Sequence, residues 1–579
     1  MKVGEFSMPN SQLMNITESD CDLIVVGSGA AGLCAAITAR KQGLSVILLE
    51  KDSSLGGITA VSGGWAWIPC NSVASRSGVQ DTKEAAKLYM RHEAGSRYSE
   101  EHVEAYLEKG PEMIDFLERE TAVRFQASIS FPDYHSEAPG AALGRSIVAE
   151  PFNALALGNR LHLLRKPLRQ TTLFGMNIGS GVELTHFFRA TRSFTSAVFV
   201  ARRIVKHAYD LVRYGRGTRL ANGNALVAQL LKSAFDTGVE IRLSSPVNRL
   251  IVEKGQVTGI EVGKGKECQR LHARAGVVLA CGGFSQDVEF RRQLFLHAPT
   301  GSEHASPVPE GNVGDGLRMG QNVGGVIEAG LSNAAAWMPV SLVPSGNGKS
   351  VVFPHVIDRA KPGMIAVTRK GVRFVNESNS YHDFGQAMVN ATRGDTDTFV
   401  FLMCDHRALR RYGLGFVKPF PFPIEKHVKS GYLLRGRTIA DLARSAGIDV
   451  DTLETTVNEF NDHARKGSDP VFGKGSTRYN QFQGDVMHAP NPCVAPLAQG
   501  PFYAVRIVMG DIGTFAGLKA DASARVLDAG GKPIRGLYAA GNDMCSVMGG
   551  NYPGAGINIG PALTFGYIAA ITAAMTLQD

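Results

Sequence analysis

The sequence predicts an α/β protein in two parts: a nucleotide-binding domain built from both ends of the chain, and an α+β domain inserted between them. Three observations carry this prediction. A strand, a glycine-rich turn and a helix follow one another from residue 22 to about 43; strand-like segments recur up to residue 284 and again after 525; and between roughly 300 and 500 the texture changes to proline-rich joints and helical runs. A chain of 579 residues also exceeds what one hydrophobic core usually serves.

Taken in order, DLIVV (22–26) is a short, β-branched strand of the buried type, GSGAAG turns the chain, LCAAITARKQG reads as a helix and SVILLE as a second strand, which together make a βαβ unit. VEIRLSSPV, QVTGIEV and AGVVLACGGF continue the strand set, and RVLDAGGKPIRGLYAAG (525–541) returns to it. VKPFPFPIEK marks a joint in the inserted part, and TIADLARSAGI a helix. The expected division is 1–300 and 496–579 for the nucleotide-binding domain, with 301–495 inserted. The apolar end LTFGYIAAITAAM is short enough for a buried helix, and no stretch offers about 20 uninterrupted apolar residues for a membrane span.

Composition narrows the class. Charged residues are 20%, apolar residues 44% and glycines number 66, which fits a globular chain rich in tight turns and excludes a disordered or fibrous one. The eight cysteines are scattered, with no metal-ligand spacing, and read as reduced thiols of a cytoplasmic protein. MKVGEFSMPNSQLMNITESD lacks the basic start and apolar run of a secretory leader.

In GSGAAG, Gly27, Gly29 and Gly32 stand at G-x-G-x-x-G spacing. The first permits the tight turn, the second lets the backbone approach a pyrophosphate, and the third lets helix and strand pack closely, with the phosphates at the positive helix end. Glu50 ends the second strand eighteen residues after Gly32, where a carboxylate accepts from ribose hydroxyls. LGGITAVSGG (55–64) and GLYAAGND (536–543) are further loops that a flavin needs and a nicotinamide does not. FAD is therefore the expected cofactor, and the first domain a Rossmann-like FAD-binding domain.

The run from DLIVVGSGAAG to ITAVSGG, together with VLACGGF (278–284) and GLYAAGN, resembles the flavoprotein family of soluble fumarate reductases and 3-ketosteroid dehydrogenases. The resemblance covers most of the chain apart from residues 160–219. It implies a cofactor set of Gly27, Gly29, Ala30, Ala31, Gly32, Glu50, Lys51, Gly57, Thr59, Ala60, Ser62, Gly64, Val247, Ala280, Gly541, Asn542, Ile557 and Ile559. ITAVSGG carries no histidine of the kind that bonds covalently to FAD in the membrane-complex relatives, so the flavin is expected to be non-covalent.

Within that family, fumarate reductases hold a dicarboxylate with converging Arg and His residues. Here KPGMIAVTRKGVRFVNESNSYHDF lacks the arginine expected after its Asn-Glu pair and instead resembles the 3-ketosteroid dehydrogenases, whose NES-x-x-Y stretch carries the base; that position is Tyr381. FPDYHSEAPG places Tyr134 at a second active-site tyrosine, and VMGGNYPGAGINIGPALTFG places Tyr552 and Gly556. Ala555 and Ser380 depart from the family, which commonly has proline there; this bears on substrate range. His135 and His382, beside two of the tyrosines, read as surface or supporting residues.

The chemistry implied is 1,2-dehydrogenation of a 3-ketosteroid. Hydride from carbon 1 goes to FAD, and the proton of carbon 2 to Tyr381. An oxyanion hole of Tyr552 hydroxyl and Gly556 N–H is worth about 3 kcal/mol per donor in the transition state. A phenol of pKa about 10 is a poor base at neutral pH, so Tyr381 needs its phenolate favoured, with Tyr134 as the donor. The alternatives are dehydrogenation or reduction at another enone or ring position, and a flavin-fold binding protein without turnover.

Between Arg160 and Arg219 twelve Lys and Arg face two acidic residues, a net of +10 in a chain of +8, so the remainder sums to −2. A stripe through Leu184, Phe187, Phe188, Phe194, Val198, Ala201, Val205, Ala208 and Val212 runs opposite Arg189, Arg192, Arg202, Arg203, Lys206 and Arg213. Two readings stay open: a helix in a membrane interface, peripheral on the inner face and consistent with a quinone as electron acceptor, or a helix packed by its stripe on protein. Nucleic acid is not expected, because the aromatics lie on the stripe and not between the charges.

Overall fold

The computed structural model describes residues 18–578 apart from 264, 266, 267, 347 and 349. Most of the N-terminal stretch read as lacking a leader lies outside the described residues.

The strand Glu18–Val26 forms because its β-branched and leucine side chains are buried on both faces, the pattern of a parallel strand covered by helices. It pairs in parallel with Val46–Leu49 on one side and Gln269–Leu279 on the other. Gln269–Leu279 in turn pairs in parallel with Pro533–Ala539, so both ends of the chain meet in one sheet. Glu240–Arg242 extends the sheet beyond Val46–Leu49, and Gln256–Val262 lies antiparallel against Gln269–Leu279. Helix Ala30–Lys41 is alanine-rich because it is squeezed between this sheet and the C-terminal helix Ile559–Met575; a Cβ on Gly566 would lie 2.5 Å from the Ala31 carbonyl oxygen.

The inserted part centres on an antiparallel sheet in the order 350–354, 335–344, 502–514, 399–404, 364–368. Its helices include Tyr381–Ala391 and Ile439–Ala446; the latter opens on a Thr438/Asp441 capping box and stops at left-handed Gly447. Phe502–Thr514 pairs with Ala335–Pro344 and Phe399–Cys404, so this strand, which the sequence reading assigns to the nucleotide-binding part, lies in the inserted sheet. Its hydrophobic pattern resembles that of any buried strand, and only the pairing reveals its sheet.

Residues 160–219 contain two helices, Val182–Arg189 and Phe194–Tyr214, divided where Ser193 caps the second. The second is inverted relative to a helix packed by its apolar stripe. Ser196, Val200, His207 and Asp210 are buried, whereas Phe194, Val205 and Val212 are 84%, 69% and 91% exposed. The buried polar face is satisfied locally. Arg203 pairs with Glu183 at 2.8 Å, Asp210 accepts from Thr218 N–H and hydroxyl, and His207 Nε2 meets the Phe174 carbonyl at 3.1 Å.

Gly276 stands where the two chain ends join: its φ is +107° and a Cβ there would lie 2.1 Å from the Gly536 carbonyl oxygen. Gly276→Ala is expected to destabilise the protein by on the order of 2 kcal/mol or more, read as a lower urea midpoint.

Candidate active site

The proposed cofactor residues collect at the carboxyl ends of the parallel strands, where open α/β sheets bind nucleotides. Gly27 follows the first strand with φ +106°, and its missing Cβ would lie 2.1 Å from the Ala280 carbonyl oxygen, at the end of a neighbouring strand. A Cβ on Gly32 would meet the Gly27 carbonyl oxygen at 1.9 Å, so the turn closes only with glycine there. The second loop lies on this turn, with the Thr59 hydroxyl accepting from Ala30 N–H at 3.0 Å and the Ser62 hydroxyl from Gly64 N–H at 3.1 Å. Gly57 faces Gly29, and Gly541 faces Ala31.

Glu50 is buried, and its carboxylate accepts from Ser28 N–H at 3.2 Å, Ser28 hydroxyl at 2.5 Å and Asp52 N–H at 3.0 Å. It ties the glycine turn to the second strand while a carboxylate's four lone-pair sites leave capacity for a ribose hydroxyl. Lys51 is paired with Asp315, Asn542 packs near Gly283, and Ile559 begins the C-terminal helix, with Ile557 two residues before it. Val247 opens a strand two residues after Ser245, whose N–H bonds the Glu50 carbonyl at 3.0 Å. Sequence reasoning missed Ser28 as a partner of Glu50, and Asp543, which accepts from Cys281 N–H at 2.5 Å and Gly283 N–H at 3.0 Å. Backbone cradles with no room for a Cβ and a carboxylate at the second strand end fit an adenine dinucleotide.

Tyr134, Tyr381 and Tyr552 come from three distant segments into one cluster. The Tyr134 and Tyr381 hydroxyls are 3.2 Å apart; the Tyr134 and Tyr552 rings stack at 5.6 Å, and the Tyr381 and Tyr552 rings meet edge-on at 5.1 Å. Tyr381 and the Gly556 backbone N–H lie near the Tyr552 hydroxyl and oppose part of the effect of burial on it. Gly556 has φ +99°, and a Cβ would lie 2.4 Å from the Trp65 carbonyl, so only glycine brings this N–H forward.

Each tyrosine is aimed by its own support. The loop before Tyr381 is fixed by Glu377, which binds Arg373 at 3.0 Å and Lys474 at 3.4 Å, and by Asn376, whose amide donates to Asn480 at 2.8 Å. Ser380 then caps the helix that Tyr381 begins, so the phenol sits at the positive helix end. Asp133 holds the Tyr134 loop through Trp67 Nε1–H at 2.7 Å and Arg145 at 2.8 Å. The Pro553 carbonyl accepts from Tyr134 N–H at 2.9 Å, joining that loop to the Tyr552 segment.

Burial dominates the electrostatics. It pushes the Tyr381 and Tyr134 hydroxyls well above the usual phenol range and Tyr552 up to about 12, because a phenolate is poorly solvated there. A fourth tyrosine, Tyr479, packs with a tilted ring against Tyr134 at 4.6 Å; STRYNQF carries no motif that could have announced it. His382 is buried, accepts from Trp337 N–H at Nδ1, and burial pulls it down to about 4. His135 is more telling. Its Nδ1 meets Glu93 at 2.8 Å and its Nε2 meets Asp383 at 3.1 Å, so it clamps the Tyr134 loop to the Tyr381 helix. Chemically, the cluster sets three phenol hydroxyls in one buried neighbourhood, with the Gly556 N–H near that of Tyr552.

Comparison with known proteins identifies the family and the fold. Residues 22–559 match the family described as FAD binding domain. A 4-oxocyclohex-2-ene-1-carboxylate 5-dehydrogenase from Sinomonas cyclohexanicum is 44% identical over 95% of this chain and 93% of its own length. A 3-oxosteroid 1-dehydrogenase from Mycobacterium tuberculosis is 36% identical over 96% and 98%. The crystal structure of 3-ketosteroid delta1-dehydrogenase from Sterolibacterium denitrificans in complex with 1,4-androstadiene-3,17-dione superposes with a TM-score of 0.89 at 34% identity, covering 96% of this chain and 100% of that one.

The two carboxylates around His135 overcome the desolvation that burial imposes and raise its pKa from 6.5 to about 11. A raised folded-state value gives stability that is complete below pH about 6.5 and lost as pH rises through about 11. His135→Gln should therefore lower the melting temperature most near pH 6, with the gap to the parent narrowing steadily towards pH 11 in a thermal-denaturation series.

Proposed function

The chain belongs to the FAD binding domain family and is an FAD-dependent oxidoreductase, and from that premise we propose that it dehydrogenates the carbon–carbon bond beside the ketone of a six-membered ring, the 1,2 bond of a 3-ketosteroid. The observation that carries the proposal is the gathering of Tyr134, Tyr381 and Tyr552 in one buried cluster, with Gly556 beside Tyr552. Bound FAD supplies the hydride acceptor. Gly27, Gly29 and Gly32 would hold its pyrophosphate and Glu50 its ribose.

The protein supplies the remainder. Tyr552 hydroxyl and Gly556 N–H donate to the ketone oxygen and stabilise the enolate-like charge that grows there, which acidifies carbon 2. Tyr381 takes that proton, and Tyr134 holds the phenolate beforehand and passes the proton on. Phenols suit an apolar pocket because they cost less to bury than a carboxylate. A second reading, a cyclohexenone carboxylate in place of the steroid, is favoured by the 44% identity to the Sinomonas enzyme and uses the same residues.

The second proposal concerns residues 160–219. No helix among the described residues is long and apolar enough to cross a membrane. Yet helix Phe194–Tyr214 turns Val205, Tyr209 and Val212 outward beside Arg202, Lys206 and Arg213, which is what an interfacial helix on anionic lipid requires. In this reading the protein is cytoplasmic, rests on the inner membrane face and passes its electrons to a quinone.

Two outcomes follow. Androstenedione should bleach the flavin anaerobically, and Tyr381→Phe should keep the yellow colour while slowing bleaching by about 10²–10⁴-fold. Bleaching by succinate alone would contradict the reading, whereas bleaching by 4-oxocyclohex-2-ene-1-carboxylate but not by steroid selects the monocyclic substrate. The protein should also sediment with phosphatidylglycerol-containing vesicles more than with phosphatidylcholine ones, and Val205→Asp with Val212→Asp should abolish this without slowing turnover of a dispersed substrate. Equal sedimentation of variant and parent would overturn the membrane contact.

A further inference from the structure

We propose that the basic segment is clasped at both of its ends onto the cofactor loop 55–64, and that Asn224 and Arg165, which close the clasp, set how tightly FAD is held. They are positioning residues that act through the loop. The inference needs only the binding of FAD and is independent of the substrate reading.

The loop has little of its own to fix it. Apart from a single 3₁₀ turn at Thr59–Val61 it contains no helix, and Gly56, Gly57 and Gly64 hold φ of +112°, +47° and +70°. Glycine-rich backbone of this kind loses much freedom when it is ordered. Yet it stands over the glycine turn: Gly56 N–H donates to the Ser28 hydroxyl at 3.0 Å, next to the bond between Ala30 N–H and Thr59.

Order is supplied by the basic segment. Where the chain enters it, Leu55 N–H donates to the Leu163 carbonyl at 2.7 Å and Arg165 N–H to the Leu55 carbonyl at 3.0 Å. The Arg165 guanidinium pairs with Asp52, whose N–H is held by the Glu50 carboxylate at 3.0 Å. Where the chain leaves the segment, helix Asn222–Asp236 begins against the same loop. Gly223 N–H donates to the Ser62 carbonyl at 3.1 Å, and a Cβ on Gly223 would lie 1.9 Å from the Thr59 carbonyl oxygen. Asn224 joins the two ends. It is 1% exposed, and its Nδ2 donates to the Arg165 carbonyl at 2.7 Å and to the Ala60 carbonyl at 3.3 Å. One amide thus ties entry, loop and exit helix, with both of its protons used. A loop ordered in advance spares the bound cofactor that entropy cost and holds it more tightly. The stretch 160–219, outside the family resemblance, thereby belongs to the support of the cofactor site.

The test is the release of flavin from the purified holoenzyme, followed as the rise of free-FAD fluorescence after dilution. Asn224→Asp, which sets a carboxylate oxygen against two carbonyl oxygens, and Arg165→Gln should each release FAD about tenfold faster or more. Arg165→Lys, which keeps the charge, should stay near the parental rate, and Arg165→Gln combined with Asp52→Asn should release no faster than Arg165→Gln alone, because the pair acts as a unit. Arg213→Gln, exposed on the same segment, should release at the parental rate. Parental release from Arg165→Gln, losses that multiply in the double variant, or equally fast release from Arg213→Gln would overturn the proposal. If Asn224→Asp does not fold, the Arg165 and Asp52 variants decide alone. None of these outcomes touches the tyrosines, so the catalytic reading stands or falls separately.

Discussion

The hydrogen bond between the Tyr134 and Tyr381 hydroxyls, 3.2 Å long and spanning 247 residues of chain, is the constraint on which the arrangement depends. It can form only if two independently anchored segments end at one place. Each segment is anchored by a buried ion-pair set, of a kind that contributes little net stability. Arg145 with Asp81 and Asp133, and Arg373 with Glu377 and Asp469, have that character. Asp133 and Glu377, one from each set, stand next to Tyr134 and four residues before Tyr381.

Burial creates the problem that the surrounding residues answer. A phenol inside an apolar pocket is a weaker acid than in water, which suits Tyr552 as a donor and works against Tyr381 as a base. The two have different surroundings. Tyr552 lies near the Gly556 N–H, whereas Tyr381 begins a helix and lies beside Tyr134. In the proposed reading one residue type thereby serves two roles through its environment.

Much of this was legible in the sequence. Gly27, Gly29, Gly32 and Glu50 announce their site because backbone crowding and a strand-end carboxylate are local requirements. The tyrosines were legible only through short strings, NES-x-x-Y and PDY, whose polar letters turn out to be supports: Glu377 and Asp133 bind buried arginines that no local pattern links to them. Tyr479 was invisible, since its contact with Tyr134 is set by packing between distant segments. The stripe on 194–214 was legible as a pattern, but not its direction. Periodicity gives two faces and does not say which one meets the protein, and here Arg203, His207 and Asp210 find partners inside.

The most direct measurement is a crystal structure of the FAD-loaded protein with a cyclic enone bound. The account predicts the ketone oxygen within about 3 Å of both Tyr552 Oη and Gly556 N, with Tyr381 Oη over the adjacent ring carbon. A ketone oxygen turned away from that pair, or a ring seated outside the space that residues 134, 381 and 552 enclose, would contradict it.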